Sequence, residues 1–359
     1  MRPRVVHVDT AASWRGGQNQ VLLTAQGMMA RGVATEIACR RGGELEARAR
    51  AAGVSVAPVS FRGDLWPAGI LALARRVRQQ PESVLLLHDP HAVSAGLVAT
   101  RLGRRVPLVA VRRVDFPLRG AFSRAKYAAC DGVIVVSSAI GSVMGRGGIA
   151  SEQLALVYEG VPDRRPAPGG KEALAALGVP EDALVVGNVA ALTAHKDHAT
   201  LIDAMMILRA KQPQAWLVIA GEGELRGVLE AQARALGVAE RTVFAGFRTD
   251  LDRLLPAFSI FCLSSHMEGL GTSLLDAMAF ARPIVATRAG GIPEAVEDGV
   301  TGRVVPPRDP PALAQALLEL LGDPARQEAL GRAGRRRFQE RFTADRMVEN
   351  TLAVYAELT

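Results

Sequence analysis

The stretch from Ser264 to Asp309, SSHMEGLGTSLLDAMAFARPIVATRAGGIPEAVEDGVTGRVVPPRD, holds the residue types and spacings best suited to chemistry. One acid, Glu268, stands beside the loop Gly269-Leu270-Gly271; a helix starts at Thr272 or Ser273; a second acid, Asp276, lies one turn inside it. Unpaired N–H groups in a helix's first turn, aligned with its dipole, attract a phosphate, and glycines let the backbone come close. An acid on either side can accept hydrogen bonds from hydroxyls flanking that phosphate, so the pattern suits a sugar nucleotide. A plain loop that ends in a capped helix, with Asp276 near the positive end of the dipole, is the simpler alternative and explains only part of the run.

Followed through to Asp309, the stretch resembles the signature of the family 4 glycosyltransferases, retaining enzymes of the GT-B fold. The family's two acids, with seven residues between them, are Glu268 and Asp276, and its Ala-Met-Ala helix is Ala277-Met278-Ala279. Its Pro-led strand is Pro283 to Thr287, its Gly-Gly-x-Pro-Glu is Gly290 to Glu294, and its Asp-Gly-x-Thr-Gly is Asp298 to Gly302. Two positions depart from the pattern: the second acid is Asp, shorter than Glu by a methylene, and Ala281 stands where Gly is usual. The resemblance implies that Glu268 touches the transferred sugar, that Asp276 holds the ribose, and that Gly269, Leu270, Gly271, Thr272 and Ser273 lie along the donor.

Other candidates sit on loops that follow strand-like runs. Trp14-Arg15-Gly16-Gly17-Gln18 looks like the family's N-terminal Gly-Gly loop, which places Gly16 and Gly17 at the donor phosphates; a simple turn is the alternative. His88 matches the second histidine of the family's His-x-His-Asp pattern, near the transferred sugar, with Leu86 in place of the first; a helix cap is the alternative. The run Val186 to Asp197 resembles the family's Gly-Arg-Leu, three residues, Lys pattern, whose two cations clamp the donor diphosphate. Lys196 keeps its place in that clamp, Ala191 replaces the Arg, and His195, His198 or another Arg is left to supply the missing charge. Gly221-Glu222-Gly223 and Phe247-Arg248 match positions around the nucleoside. Arg112 and Arg113 end a strand in the basic half and could bind an acidic acceptor group, with ion pairing to Asp115 an equal contender.

These loops need elements to hold them. Short apolar runs at Arg4–Val8, Ala34–Ala38, Ser83–Leu87, Leu108–Val111 and Gly132–Val136 alternate with helical patterns near 19–30, 44–51, 68–79 and 92–102. A second alternation has strands at Leu184–Val189, Ala215–Ala220, Thr242–Ala245, Ile260–Leu263, Ile284–Thr287 and Arg303–Val305, then helices near 311–321, 325–341 and 344–357. This is the pattern of parallel α/β sheets. The Pro/Gly-rich stretch 162–170 reads as a linker. The expected fold is therefore α/β, two Rossmann-like domains over 1–163 and 171–342 with a cleft between them; the resemblance implies the GT-B arrangement, the first domain for the acceptor and the second for the nucleotide sugar. By resemblance, residues 343–359 form a helix that returns to the N-terminal domain.

Composition sets limits. With 359 residues, 49% of them hydrophobic, two cores can be filled. No apolar run reaches the roughly 18 residues a membrane helix needs, and MRPR leads straight into a strand, so a cytoplasmic protein is expected. Cys39, Cys130 and Cys262 lie in or beside apolar runs without metal spacing and read as reduced core residues. Residues 1–163 carry 21 Lys and Arg against 12 Asp and Glu, a net of +9. An aromatic content of 4% offers few stacking platforms for nucleic acid, so an anionic membrane surface or a phosphorylated acceptor fits this charge better; Arg75, Arg76 and Arg78 are the candidate surface cations.

The expectation is a retaining glycosyltransferase that moves a sugar from a nucleoside diphosphate sugar to a glycan or glycolipid hydroxyl, without metal or cofactor, leaning toward cell-envelope polysaccharide or lipopolysaccharide assembly. A sugar-nucleotide 2-epimerase-like isomerase and an inactive nucleotide-sugar-binding protein remain open. A nicotinamide oxidoreductase does not fit, because the first strand is followed by Trp-Arg-Gly-Gly and not by Gly-x-Gly-x-x-Gly.

Overall fold

The computed structural model describes residues 4–61 and 66–357. The chain forms two units, residues 1–160 with 344–359, and residues 161–343. The first unit runs β1 (Arg4–Asp9), α1 (Gly16–Ala30), β2 (Thr35–Arg40), α2 (Glu44–Ala51), β3 (Ser55–Val59), α3 (Pro67–Gln79), β4 (Ser83–Leu87), α4 (Pro90–Leu102), β5 (Leu108–Arg112), α5 (Gly120–Ala128), β6 (Gly132–Val135), α6 (Ser138–Arg146) and β7 (Leu154–Leu156). The second runs α7 (Gly170–Ala175), β8 (Leu184–Val189), α8 (His198–Lys211), β9 (Ala215–Ala220), α9 (Arg226–Ala235), β10 (Thr242–Gly246), α10 (Leu251–Ala257), β11 (Ile260–Leu263), α11 (Thr272–Ala279), β12 (Ile284–Thr287), α12 (Ile292–Ala295), β13 (Arg303–Val305), α13 (Pro310–Leu321) and α14 (Pro324–Arg341). The last helix, α15 (Ala344–Ala356), belongs to the first unit.

Both sheets are parallel, in the orders β3-β2-β1-β4-β5-β6-β7 and β10-β9-β8-β11-β12-β13. Helices on both faces bury the central strands completely, so β4 (SVLLL) and β11 (IFCL) are apolar at nearly every position rather than alternating. The edge strands β3 and β7 were not expected from sequence: they are short, half-exposed, and β3 carries Pro58, which only an edge tolerates. Each sheet reverses strand order once, between β1 and β4 and between β8 and β11. In open α/β sheets such switch points are where ligands bind, beyond the carboxyl ends of the strands.

Helix starts follow local chemistry. α4, α13 and α14 each begin with Asp-Pro: Asp89, Asp309 and Asp323 cap backbone N–H groups, and the proline takes the first position. Apolar periodicity alone places these starts one or two residues late. The stretch 162–170 lies on the second unit rather than hanging between units. Asp163 pairs with Arg335 at 2.6 Å, the Ala167 N–H bonds the Asp252 carbonyl at 2.9 Å, and Gly170 packs against Arg253 and Ala257. The chain passes between units at 160/161 and 343/344. α15 packs on α1, where a Cβ at Gly27 would lie 2.5 Å from Val348, and Arg31 pairs with Asp345 at 2.8 Å. Leu358 and Thr359, the last residues of the segment expected to form this helix, lie outside the described residues.

Candidate active site

In the second unit, the loops after β8 and β11 are laced together at the switch point. The Ser264 hydroxyl bonds the Lys196 carbonyl at 3.1 Å, and the His266 N–H bonds the His195 carbonyl at 3.0 Å. Lys196 ends a short 3₁₀ turn; the next residue, Asp197, adopts φ 50° and caps α8 through Thr200. The Lys196 ammonium donates to Glu268 Oε2, which also accepts from the Ser265 hydroxyl at 3.2 Å. Lys196 and Glu268, 72 residues apart, thus form one ion pair with side chains only 17% and 12% exposed.

Beyond Glu268 the backbone turns into α11 through Gly271 at φ 90°, a conformation that suits glycine and lets the chain pass close to Leu274. Among the described residues no side chain caps α11; the Leu274 N–H bonds the Gly271 carbonyl at 2.9 Å, which leaves the N–H groups of Thr272 and Ser273 for an anion. Asp276 lies on the second turn; burial raises its carboxyl to about 6, against a smaller opposing pull from Arg164. Thr272 and Ser273 are half-exposed at the start of the helix, and Leu270 is buried beneath it.

Other motif residues serve the fold. Gly302 leaves no room for a side chain beside Val296 and Ile284, Thr301 accepts from the Glu297 N–H at 2.8 Å, and Asp298 accepts from the Val304 N–H at 2.9 Å. Asp298 to Gly302 therefore forms the turn into β13. Ala281 adopts φ 54°, which accounts for the glycine usual there.

The loops after β9 and β10 join the same end. Gly221 and Gly223 press against the Ala190 and Leu192 carbonyls, where an added Cβ would come within 1.9 and 2.4 Å. The Leu192 N–H bonds the Glu222 carbonyl at 2.9 Å, and the exposed Glu222 carboxylate overlies Gly246. Phe247 is 57% exposed, while Arg248 pairs with Asp250 at 2.6 Å. The charge missing at Ala191 does not come from His198. Its Nε2–H is held by the Asn188 side-chain oxygen at 3.0 Å, and burial, then Lys196, lower it to about 4, so the ring is neutral.

In the first unit, the Gly-Gly loop opens α1. Gln18 accepts from the Arg15 N–H at 3.2 Å and donates to Asp9 at 3.1 Å, which ties the loop to the end of β1. Gly17 lies against Arg113, whose Cδ would be 4.0 Å from an added Cβ; Gly16 is the first residue of the helix. Arg113 bonds Glu159 at 2.9 Å and His88 Nδ1 at 3.1 Å. Arginine only donates, so His88 Nδ1 must accept, and the ring of neutral His88 then carries its proton on Nε2, 3.0 Å from His7 Nδ1. Burial, then Arg113, hold both histidines well below the usual range, His7 at about 3. Both nitrogens of His88 are thus engaged inside the unit, and the residue positions Arg113. A cavity of ≈ 20 Å³, enough for about one water, lies beside His88, Arg113, Glu159 and Thr351.

Arg112, expected beside Arg113 at an acceptor, is turned inward. It is buried, donates to the Phe116 carbonyl at 2.6 Å and lies over the Tyr127 ring, because alternate residues of a strand face opposite sides of the sheet. Arg76 likewise pairs with buried Glu36, so only Arg75 and Arg78 of the expected trio face outward. Sequence reasoning missed Asp9, His7 and Glu159: an acid ending a strand and a histidine within one carry no spacing signal until the sheet order is known.

Two parallel α/β units with loops gathered at their switch points define the class of the protein, the GT-B architecture. Anabaena HepE, solved with UDP and glucose, has this fold, with a TM-score of 0.86, 21% identity and coverage of 99% of this chain and 100% of that one. Residues 171–337 match the model for glycosyl transferases group 1, and residues 14–165 match that for glycosyltransferase family 4. The chain belongs to this family of glycosyltransferases. A GDP-mannose-dependent phosphatidylinositol monomannoside mannosyltransferase of Mycolicibacterium smegmatis is 39% identical over 165 residues, 43% of each chain. The lipopolysaccharide core biosynthesis glycosyltransferase LpsE of Rhizobium meliloti is 31% identical over 182 residues, 51% of this chain and 52% of that one. The matches thus span about half the length of these curated relatives.

Proposed function

We propose that the protein is a retaining glycosyltransferase that moves a sugar from a nucleoside diphosphate sugar to an acceptor hydroxyl. The observation that carries this reading is the Lys196–Glu268 pair set directly before the uncapped start of α11. The helix N–H groups and Lys196 take the diphosphate, Glu268 takes sugar hydroxyls, Asp276 takes the ribose, and exposed Phe247 offers its ring to the base. As charge builds on the leaving phosphate, Lys196 stabilises it, and that phosphate accepts the proton of an acceptor attacking from the same face. This assigns neutralisation of the diphosphate to the protein itself, with no metal or cofactor. UDP and glucose bound to HepE support a nucleotide-sugar donor.

The acceptor is a glycan or glycolipid of the cell envelope, a reading supported by the names of the lipopolysaccharide and phosphatidylinositol-mannoside relatives. Arg113 is the residue assigned to it. No helix among the described residues is long and apolar enough to cross a membrane. Arg75 and Arg78, exposed on α3, support contact with an anionic membrane surface.

Thermal-shift measurements against UDP, GDP, ADP and their sugars test the donor site, since a ligand that binds only the native state stabilises it. One base should raise the melting temperature, and Lys196→Ala should lower turnover about a hundredfold, roughly 3 kcal/mol of transition-state stabilisation. Absence of a shift with every nucleotide, or near-normal turnover of Lys196→Ala, overturns the assignment. Anomeric configuration of the product, read by NMR, tests retention.

A further inference from the structure

The Lys196–Glu268 pair has a consequence for binding order that rests on the donor-site reading above. Both backbones are pinned: Lys196 by the turn and by Ser264, Glu268 by its carbonyl, which accepts the Gly291 N–H at 3.1 Å. Only the side chains can change partners. Without ligand, the Lys196 ammonium has Glu268 as its partner among the described residues. Neither Ala191 nor neutral His198 supplies a second cation in this loop. An incoming diphosphate must therefore compete with Glu268 for Lys196.

When Lys196 turns to the diphosphate, Glu268 is left as a largely buried carboxylate with the Ser265 hydroxyl as its partner among the described residues, close to new negative charge. A buried ion that loses its partner is strongly unfavourable unless other donors replace it. A nucleoside diphosphate sugar brings such donors, the hydroxyls of its transferred sugar; a spent nucleoside diphosphate has lost that sugar, and its ribose hydroxyls are the ones assigned to Asp276. We infer that Glu268 is a specificity-determining residue that discriminates charged donor from spent nucleotide, reclaiming Lys196 once the sugar has left and so favouring product release. The acid that recognises the sugar then opposes the nucleotide that lacks one.

The test is calorimetry of wild type, Glu268→Gln, Lys196→Ala and the double variant. Each is titrated with the preferred nucleoside diphosphate and with the corresponding nucleotide sugar. Gln keeps the shape of Glu and an oxygen for Ser265. Glu268→Gln should bind the free diphosphate about tenfold more tightly, roughly 1.4 kcal/mol, with little gain or a loss for the nucleotide sugar. The gain should vanish in the double variant. If Glu268→Gln leaves diphosphate affinity unchanged or weaker while Lys196→Ala weakens it, the donor site stands and the discrimination does not. If Lys196→Ala leaves diphosphate binding unchanged, both readings fail.

Discussion

Arg113, the residue after β5, donates through Nε to Glu159 just past β7, 2.9 Å away, with side chains 14% and 9% exposed. Breaking a buried pair from one side strands the other charge, at a cost of roughly 3 kcal/mol. Glu159→Gln should therefore lower stability by about that amount in denaturant unfolding. Replacing both residues by apolar ones, as in Arg113→Met with Glu159→Leu, should recover much of it while raising the apparent KM for acceptor. A double variant no more stable than the single one would show that the pair is not coupled as the geometry requires.

Phe247 is exposed beyond β10, so its ring contributes little to the core. Stacking of a base on an aromatic side chain is worth about 1–3 kcal/mol. Phe247→Ala should weaken nucleoside diphosphate binding about tenfold, leave pyrophosphate binding unchanged and leave the melting temperature unaltered. Equal losses for pyrophosphate and nucleotide would place the base elsewhere.

Asp9 is raised from 3.8 to about 6, first by burial and next by the charge of Asp89. The folded chain then holds this proton more tightly than the unfolded chain, so the contribution favours folding at low pH. It fades as pH rises from 3.8 through about 6, by roughly 3 kcal/mol in all. Asp276 titrates in the same range, so the comparison must be between Asp9→Asn and its parent. The variant should gain on the parent across that window; stability curves that stay parallel from pH 4 to 7 would contradict the raised carboxyl.

Ala281 holds a left-handed backbone at φ 54°, where a Cβ is strained by about 1 kcal/mol. Ala281→Gly should be neutral or stabilising by up to that amount, although glycine ordinarily weakens a chain by enlarging its unfolded freedom. Marked destabilisation in chemical denaturation would mean that the methyl packs better than the strain costs.

Much of this was legible in the residues because it depends on local chemistry. The strand β8, the start of α11 at Thr272 and the loop from Glu268 to Gly271 follow from apolar runs, glycine and acid spacing within a few residues. What depends on sheet order was not legible. His7 and His88, 81 residues apart, meet only because β1 and β4 are neighbours, and Lys196 reaches Glu268 only because β8 lies beside β11. Charge counting likewise could not separate Arg75 from Arg76, since one faces outward and the other meets buried Glu36. Composition has a related limit at the linker: Pro and Gly mark irregular backbone, and residues 162–169 are irregular yet anchored to the second unit.

The placement of α15 sets an order for biosynthesis. The second unit is one continuous segment, residues 161–343, whereas the first is complete only with the segment that begins at Ala344. On a ribosome, the α1 surface that receives Val348 stays uncovered while residues 161–343 are added. The second unit, continuous in the chain, thus has all of its residues before the first unit receives the segment that closes it.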